Sequence, residues 1–157
     1  MSTFIMLIGI PASGKSTWVK TYLEAAENPD DWVVVSSDNY IEKKALIDGK
    51  TYTEVFTKYA PDAERACAAT VEFAVENELN IIWDQTNLRK NVRKKRLKMI
   101  PESYSKYFLY QKAPPFDELR ERLDSRPGKE IPFDVLVKMI ETAEPPTLDE
   151  GFHGMLQ

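Results

Sequence analysis

The segment Gly9-Ile10-Pro11-Ala12-Ser13-Gly14-Lys15-Ser16, followed by Thr17, has the spacing Gly-x4-Gly-Lys-[Ser/Thr] of a phosphate-binding loop. The chemistry follows from the residue types. Glycines let successive backbone N–H groups turn inward around a phosphate, and a helix starting at the loop adds its positive N-terminal end. Lys15 can reach the β- and γ-phosphates of a nucleotide as a mobile cation. Ser16 can ligate Mg²⁺ through its hydroxyl, and Thr17 can touch the α-phosphate. The loop alone does not separate kinases from GTPases or motor ATPases.

Two carboxylates narrow the choice. Asp38 follows a short β-branched run at residues 32–36. The carboxyl ends of strands in α/β sheets form the ligand crevice. A carboxylate there can accept the proton of an attacking hydroxyl while a γ-phosphoryl group is held in line. It can also cap the next helix, as Ser36, Ser37 or Asn39 could instead. Asp84 closes the apolar run at residues 80–84, a position suited to holding Mg²⁺ directly or through water, or to bonding its own loop. Ser125-Arg126-Pro127-Gly128-Lys129 is a charged loop that can close over a nucleotide and supply cations, or remain a solvated turn.

From Arg89 to Lys98, seven of ten residues are Lys or Arg. On a helical wheel Leu88, Val92, Met99 and Ile100 face inward, and Arg89, Arg93 and Arg96 follow one shoulder of that face. This shoulder begins beside the Asp84 strand end, where its arginines can attract phosphates; the lysines fit a solvated face equally well. Tyr40, Tyr52, Phe56 and Tyr59 are available to line an acceptor cleft, although aromatic residues are core by default.

These residues must be carried by alternating strands and helices. Residues 3–9, 32–36, 80–84 and 104–110 read as strands, and residues 15–27, 38–47, 52–79, 88–100 and 115–124 as helices. A break is expected at Pro61. A last helix starts near Pro132 and ends before Pro145-Pro146. The pattern predicts an α/β fold: a P-loop NTPase-type three-layer sandwich with a mostly parallel sheet of four or five strands and an arginine-containing helical lid.

A chain of 157 residues without a linker or repeat reads as one domain over residues 1–157. Its net charge of −4 excludes a general basic coat for nucleic acid, so contact with a polymer has to come from a local patch. Cys67 is the single cysteine, which precludes an internal disulfide and fits a reducing compartment. The apolar run at residues 4–8 is too short to span a membrane and lacks a basic leader, and no later run is longer. The expectation is a soluble, cytoplasmic protein with no membrane association. His153 stands alone, with no zinc-ligand spacing around it.

In this order, the phosphate loop, Ser37-Asp38, Asp84-x-Thr86-Asn87 and the later arginine segment resemble the polynucleotide 5′-kinases of phages, bacteria and eukaryotic end-repair enzymes. The resemblance covers nearly the whole chain. Residues 119–136, with Arg122, Arg126 and Ile131-Pro132-x-Asp134-Val135-Leu136, are similar to the phage kinase lid. Pro145-Pro146-Thr147-Leu148-Asp149-Glu150-Gly151-Phe152 is similar to the terminal loop of the eukaryotic members.

The resemblance implies ATP as phosphate donor with Mg²⁺, and the 5′-OH end of DNA or RNA as acceptor. It implies that Gly9, Pro11, Ala12, Ser13, Gly14, Lys15, Ser16 and Thr17 hold the nucleotide, with Arg122 and Arg126 joining them from a lid at about 117–132. Lys15, Asp38 and Arg126 would be catalytic, Asp38 as general base and Arg126 on the transferring phosphoryl group. Asp38, Asp84, Thr86 and Arg93 would meet the acceptor, and Ser16 and Asp84 the metal. Many phage and bacterial members carry an arginine three residues after the base; here that position is Ile41. The phosphatase motif of bifunctional relatives is absent. Two alternatives stay open: a P-loop kinase for a nucleoside or other metabolite, and a nucleotide-dependent binding module without phosphotransfer.

Overall fold

The apolar run before the phosphate loop forms the central strand β1 (Thr3–Ile8), and its side chains divide the core between two faces. Phe4, Met6 and Ile8 point to one face, and Ile5 and Leu7 to the other, all at most 1% exposed. A strand buried on both faces must be covered by helices on both sides. In the computed structural model, which describes residues 1–157, it is.

The remaining strands are β2 (Trp32–Val35), β3 (Asn80–Trp83), β4 (Ser105–Tyr110) and β5 (Gly154–Leu156). They form a single parallel sheet in the order β2-β3-β1-β4-β5. The helices are α1 (Lys15–Ala25), α2 (Ser37–Asp48), α3 (Tyr52–Glu76), α4 (Lys90–Leu97), α5 (Phe116–Asp124) and α6 (Phe133–Thr142). Cys67, Val71 and Ala74 of α3 and Leu97 of α4 pack with Phe4, Met6 and Ile8 on one face. Val19 of α1 packs with Ile5 and Leu7 on the other. The expected three-layer α/β fold is therefore present, with every strand parallel.

Three local features differ from the sequence reading. β5 comes from a C-terminal stretch of three residues, too short for periodicity to register. α3 runs unbroken through Pro61. Proline removes the donor for the carbonyl four residues back, here that of Thr57. Both Pro61 and Thr57 lie on the exposed side of α3, so water can satisfy that carbonyl. α4 is shorter than the basic stretch: Arg89 has an extended backbone at its N-cap, and Ile100 lies beyond its end.

The lid helices are anchored by apolar contacts rather than tethered only by loops. Leu119 of α5 and Leu136 of α6 are fully buried against Ile10 and Leu88. Burying such a leucine contributes about 1.5–3 kcal/mol. α2 and α3 form a second anchored unit around Ile41, Ala45, Val55 and Ala63, flanked by Tyr40, Tyr52 and Tyr59. No helix is long and apolar enough to cross a membrane.

Candidate active site

The loop between β1 and α1 takes its shape from Gly14, whose φ of 100° lies in the left-handed region. A side chain there would also meet Gln111 Oε1 at 2.9 Å from its Cβ. Gly9 N–H donates to the Thr86 carbonyl at 3.0 Å, which ties the loop to the segment after β3. Trp18 is the first residue of α1 whose N–H bonds within the helix, to Gly14 at 3.0 Å. The preceding amides of the first turn have no intrahelical partner, the condition that makes a helix N-terminus an anion site.

Lys15 is buried and curls back over the loop, its Nζ donating to the carbonyls of Gly9 at 2.8 Å and Ile10 at 2.7 Å. Burial lowers its pKa to about 8, against the opposing pull of Asp84 and Asp38. A phosphate would give this desolvated ammonium the charge partner it lacks. Ser13 Oγ is buried without a partner. Ser16 Oγ donates to Asp84 Oδ2 at 3.1 Å, so the loop hydroxyl and the strand-end carboxylate expected at a metal are in contact. Burial raises the Asp84 pKa above its ordinary value, more than Lys15 and the Ser16 hydroxyl lower it.

Asp38 is not the N-cap of α2. Ser36 is, its Oγ accepting from Asn39 N–H at 3.2 Å. With the cap supplied, the Asp38 side chain is free to line the cleft. Its Oδ1 accepts from the Tyr52 hydroxyl at 2.6 Å, and its Oδ2 from Lys129 Nζ at 2.9 Å. Burial, the largest single influence, pushes the carboxyl up. The Lys129 charge, the two hydrogen bonds and Arg126 together outweigh it and hold Asp38 below the usual carboxylate value. At neutral pH the group is an ionised acceptor facing the phosphate loop across the cleft.

The lid supplies two arginines. Arg122 donates to the Ala12 carbonyl at 3.0 Å and pairs with Glu118 at 2.6 Å, so it lies along the outer edge of the loop. Arg126 lines the cleft, and its Nη1 is buried with no hydrogen-bond partner. A desolvated guanidinium nitrogen without an acceptor is costly unless an anion enters beside it. That orphaned donor fits a bound phosphoryl group.

Arg93 requires a correction. Sequence patterning placed it toward the acceptor, but it is 0% exposed. Its Nε and Nη2 form a two-point pair with Glu150 at 2.8 and 3.2 Å, and Nη1 donates to the Asn87 carbonyl at 2.9 Å. Fully buried, it presents no donor to a substrate phosphate and instead joins α4 to the C-terminal segment. Replacing Arg93 with methionine strands Glu150, whose side chain is only 12% exposed. The expected loss of stability is about 3–5 kcal/mol, read as a lowered urea midpoint. A midpoint within error of wild type would contradict the structural role.

The other cluster arginines behave differently. Arg89 pairs with Glu144 at 3.0 Å on the surface. Arg96 stacks over Trp83 with its guanidinium 5.0 Å from the ring centroid and donates to Asn87 Oδ1. Both line the cleft. Ile41 is 1% exposed in the α2–α3 core and does not face the site.

The cleft has a volume of about 1000 Å³ and brings together Pro11–Thr17 of the loop, Asp38, Asp84, Thr86, Arg122 and Arg126. Of the residues singled out from sequence, Arg93 is excluded from it, and Gly9 supports it through its backbone. Three polar pairings had no sequence signal: Tyr52, expected only as a cleft aromatic, and Lys129, expected only as a cation of the charged loop, both bond Asp38, and Gln85 was not singled out at all. Gln85 bridges Ser37 Oγ at 2.8 Å and Glu64 Oε1 at 2.9 Å. Each meets a partner far away in the chain, which spacing does not encode.

A phosphate loop at the end of the central parallel strand, with carboxylates after two further strands and arginines on a lid, defines a P-loop kinase-type phosphotransferase domain. Residues 4–146 match the AAA domain family AAA_33, and the chain belongs to that family.

The chain is 26% identical over 144 residues to the L-seryl-tRNA(Sec) kinase of Methanococcus maripaludis, covering 90% of this chain and 52% of that protein. It thus spans about half the length of that relative. A chain in the structure of the Pnkp1/Rnl/Hen1 RNA repair complex superposes with a TM-score of 0.69 at 23% identity, covering 90% of this chain and 43% of that one. A gluconokinase from Sinorhizobium meliloti superposes with a TM-score of 0.57 at 20% identity, covering 98% of this chain and 80% of that one. At such identities the structural likenesses establish the fold.

Proposed function

We propose that this domain transfers the γ-phosphate of ATP to the 5′-hydroxyl end of a nucleic acid. The observation that carries the transfer reading is Asp38: it is ionised, released from capping by Ser36, and shares the cleft with Lys15 and Arg126. Arg89 and Arg96 extend the cationic lining of that cleft and support an acceptor bearing phosphates. The relative that acts on a tRNA and the fold neighbour from an RNA repair complex lean the same way.

Bound ATP supplies the phosphoryl group, and Mg²⁺ neutralises charge on its phosphates. Ser16 and Asp84, hard oxygen donors already in contact, would hold the cation. Lys15 would leave the Gly9 and Ile10 carbonyls for the β- and γ-phosphates. Asp38 takes the proton of the attacking hydroxyl as the new O–P bond forms and the bond to the ADP leaving group breaks. Arg126 neutralises charge on the group in transit.

The decisive experiment offers labelled ATP with 5′-OH DNA, 5′-OH RNA and a panel of nucleosides and sugars. Transfer to an oligonucleotide end is expected; exclusive labelling of a metabolite would establish the small-molecule alternative. Oligonucleotide affinity is also expected to fall with salt, log K declining against log salt by roughly 0.7 per phosphate neutralised on a single strand. A flat salt series would count against a polymer acceptor.

A further inference from the structure

The lid is docked at two places. Beyond its apolar anchor over the phosphate loop, it lies against the corner between α2 and α3. Gly128 has a φ of 74°, and a Cβ there would come within 2.9 Å of Thr51 Cβ, so only glycine allows this approach. The Gly128 carbonyl accepts from Thr53 N–H at 3.0 Å, and Glu130 N–H donates to Thr53 Oγ1 at 2.9 Å. These contacts bracket Lys129. Its side chain is 11% exposed, reaches Asp38 at 2.9 Å and Glu42 at 3.2 Å, and lies 4.5 Å from the Tyr52 ring centroid.

We infer that Lys129 is a positioning residue for Asp38, and that docking of the lid on the α2–α3 corner completes the proton acceptor of the site. The inference rests on the reading that Asp38 receives the acceptor proton. Lys129 and Tyr52 each take one oxygen of the carboxylate and fix its plane. A carboxylate oxygen has two lone-pair sites, so one on each oxygen remains for an incoming hydroxyl. The Asp38 side chain is still 49% exposed for that approach.

The charges around Asp38 come from several elements. Lys129 and Arg126 face it from the lid, Lys15 from the phosphate loop, Asp84 from the end of β3, and Glu42 from its own helix; the Tyr52 hydroxyl and the Cys67 thiol face it from α3. Both lid groups are cations. Lifting the lid removes both together and leaves Asp38 with Asp84, Glu42 and only Lys15 as counter-charge. An undocked lid thus leaves a carboxylate that is less well oriented and more readily protonated. The base and the lid arginine are assembled in one movement.

The test measures kcat/KM for a 5′-OH oligonucleotide against pH at saturating ATP and Mg²⁺, in wild type, Lys129→Met, Lys129→Arg and Asp38→Asn. The Asp38 carboxyl is also titrated by carbon NMR in the free wild-type and Lys129→Met proteins. In Lys129→Met the acid limb is expected to move to higher pH by about one unit or more, with much of the rate recovered at high pH. The carboxyl midpoint should move the same way, and Lys129→Arg should restore both.

A rate lowered equally at every pH, or a limb and midpoint that stay in place, would overturn the role of Lys129. If Asp38→Asn is inactive and the limb is unmoved, the inference fails and the proposed function stands. If Asp38→Asn is fully active, the reading of Asp38 as proton acceptor falls and the inference with it, while transfer to the 5′-hydroxyl end stands.

Discussion

Asp38→Asn is expected to reduce transfer to a 5′-hydroxyl end by roughly 10²–10⁴-fold while leaving ATP affinity close to wild type. The exchange keeps size and removes proton affinity. Because Ser36 caps α2, the effect cannot be ascribed to a lost cap. The amide oxygen can still accept from Tyr52 or Lys129, so the local packing has no reason to collapse. Lys15 and the loop amides, which serve the nucleotide, do not touch the substituted atoms. ATP titration beside initial rates with saturating oligonucleotide reads the two effects separately. Near-normal turnover with normal ATP affinity would remove Asp38 as the base.

Arg126→Ala is expected to lower kcat by about 10²-fold or more with no loss of thermal stability. The second half of that statement is the unusual one. Most half-buried arginines hold the fold together, and truncating them costs stability. The Arg126 side chain makes no hydrogen bond within the protein, and its Nη1 is buried without an acceptor. Removing it deletes an unsatisfied group, so the melting temperature should stay the same or rise. A fall in melting temperature with unchanged turnover would show a structural arginine instead. The contrast with Arg93, buried and paired with Glu150, makes the pair informative: one variant should lose activity, the other stability.

The phosphate loop, its strand and its helix were legible in the chain because all three are contiguous. An apolar run, two glycines at fixed spacing and a Lys-Ser pair specify backbone turn, anion site and cation site within a few residues of one another. The parallel α/β architecture was legible for a related reason: strands buried on both faces need unbroken apolar runs, and β1 and β3 are such runs. Asp38 and Asp84 could be placed at the crevice from the rule that strand ends gather there.

Tertiary structure decided the partners. Local pattern treats every arginine of a basic stretch as exposed, since unpaired charge is costly to bury. Arg93 escapes that rule only because Glu150, 57 residues later, folds back onto it. Position 41 stands near the base in sequence, yet helical geometry turns Ile41 into the α2–α3 core. Lys129 is 91 residues from Asp38 and meets it because Gly128 permits the lid to lie against Thr51. The sequence by itself determined which groups can bind phosphate and accept a proton, since those are properties of residue type and short spacing. Which charges are spent inside the fold and which remain for a substrate depends on long-range pairing, and only the packed chain brings those pairs together.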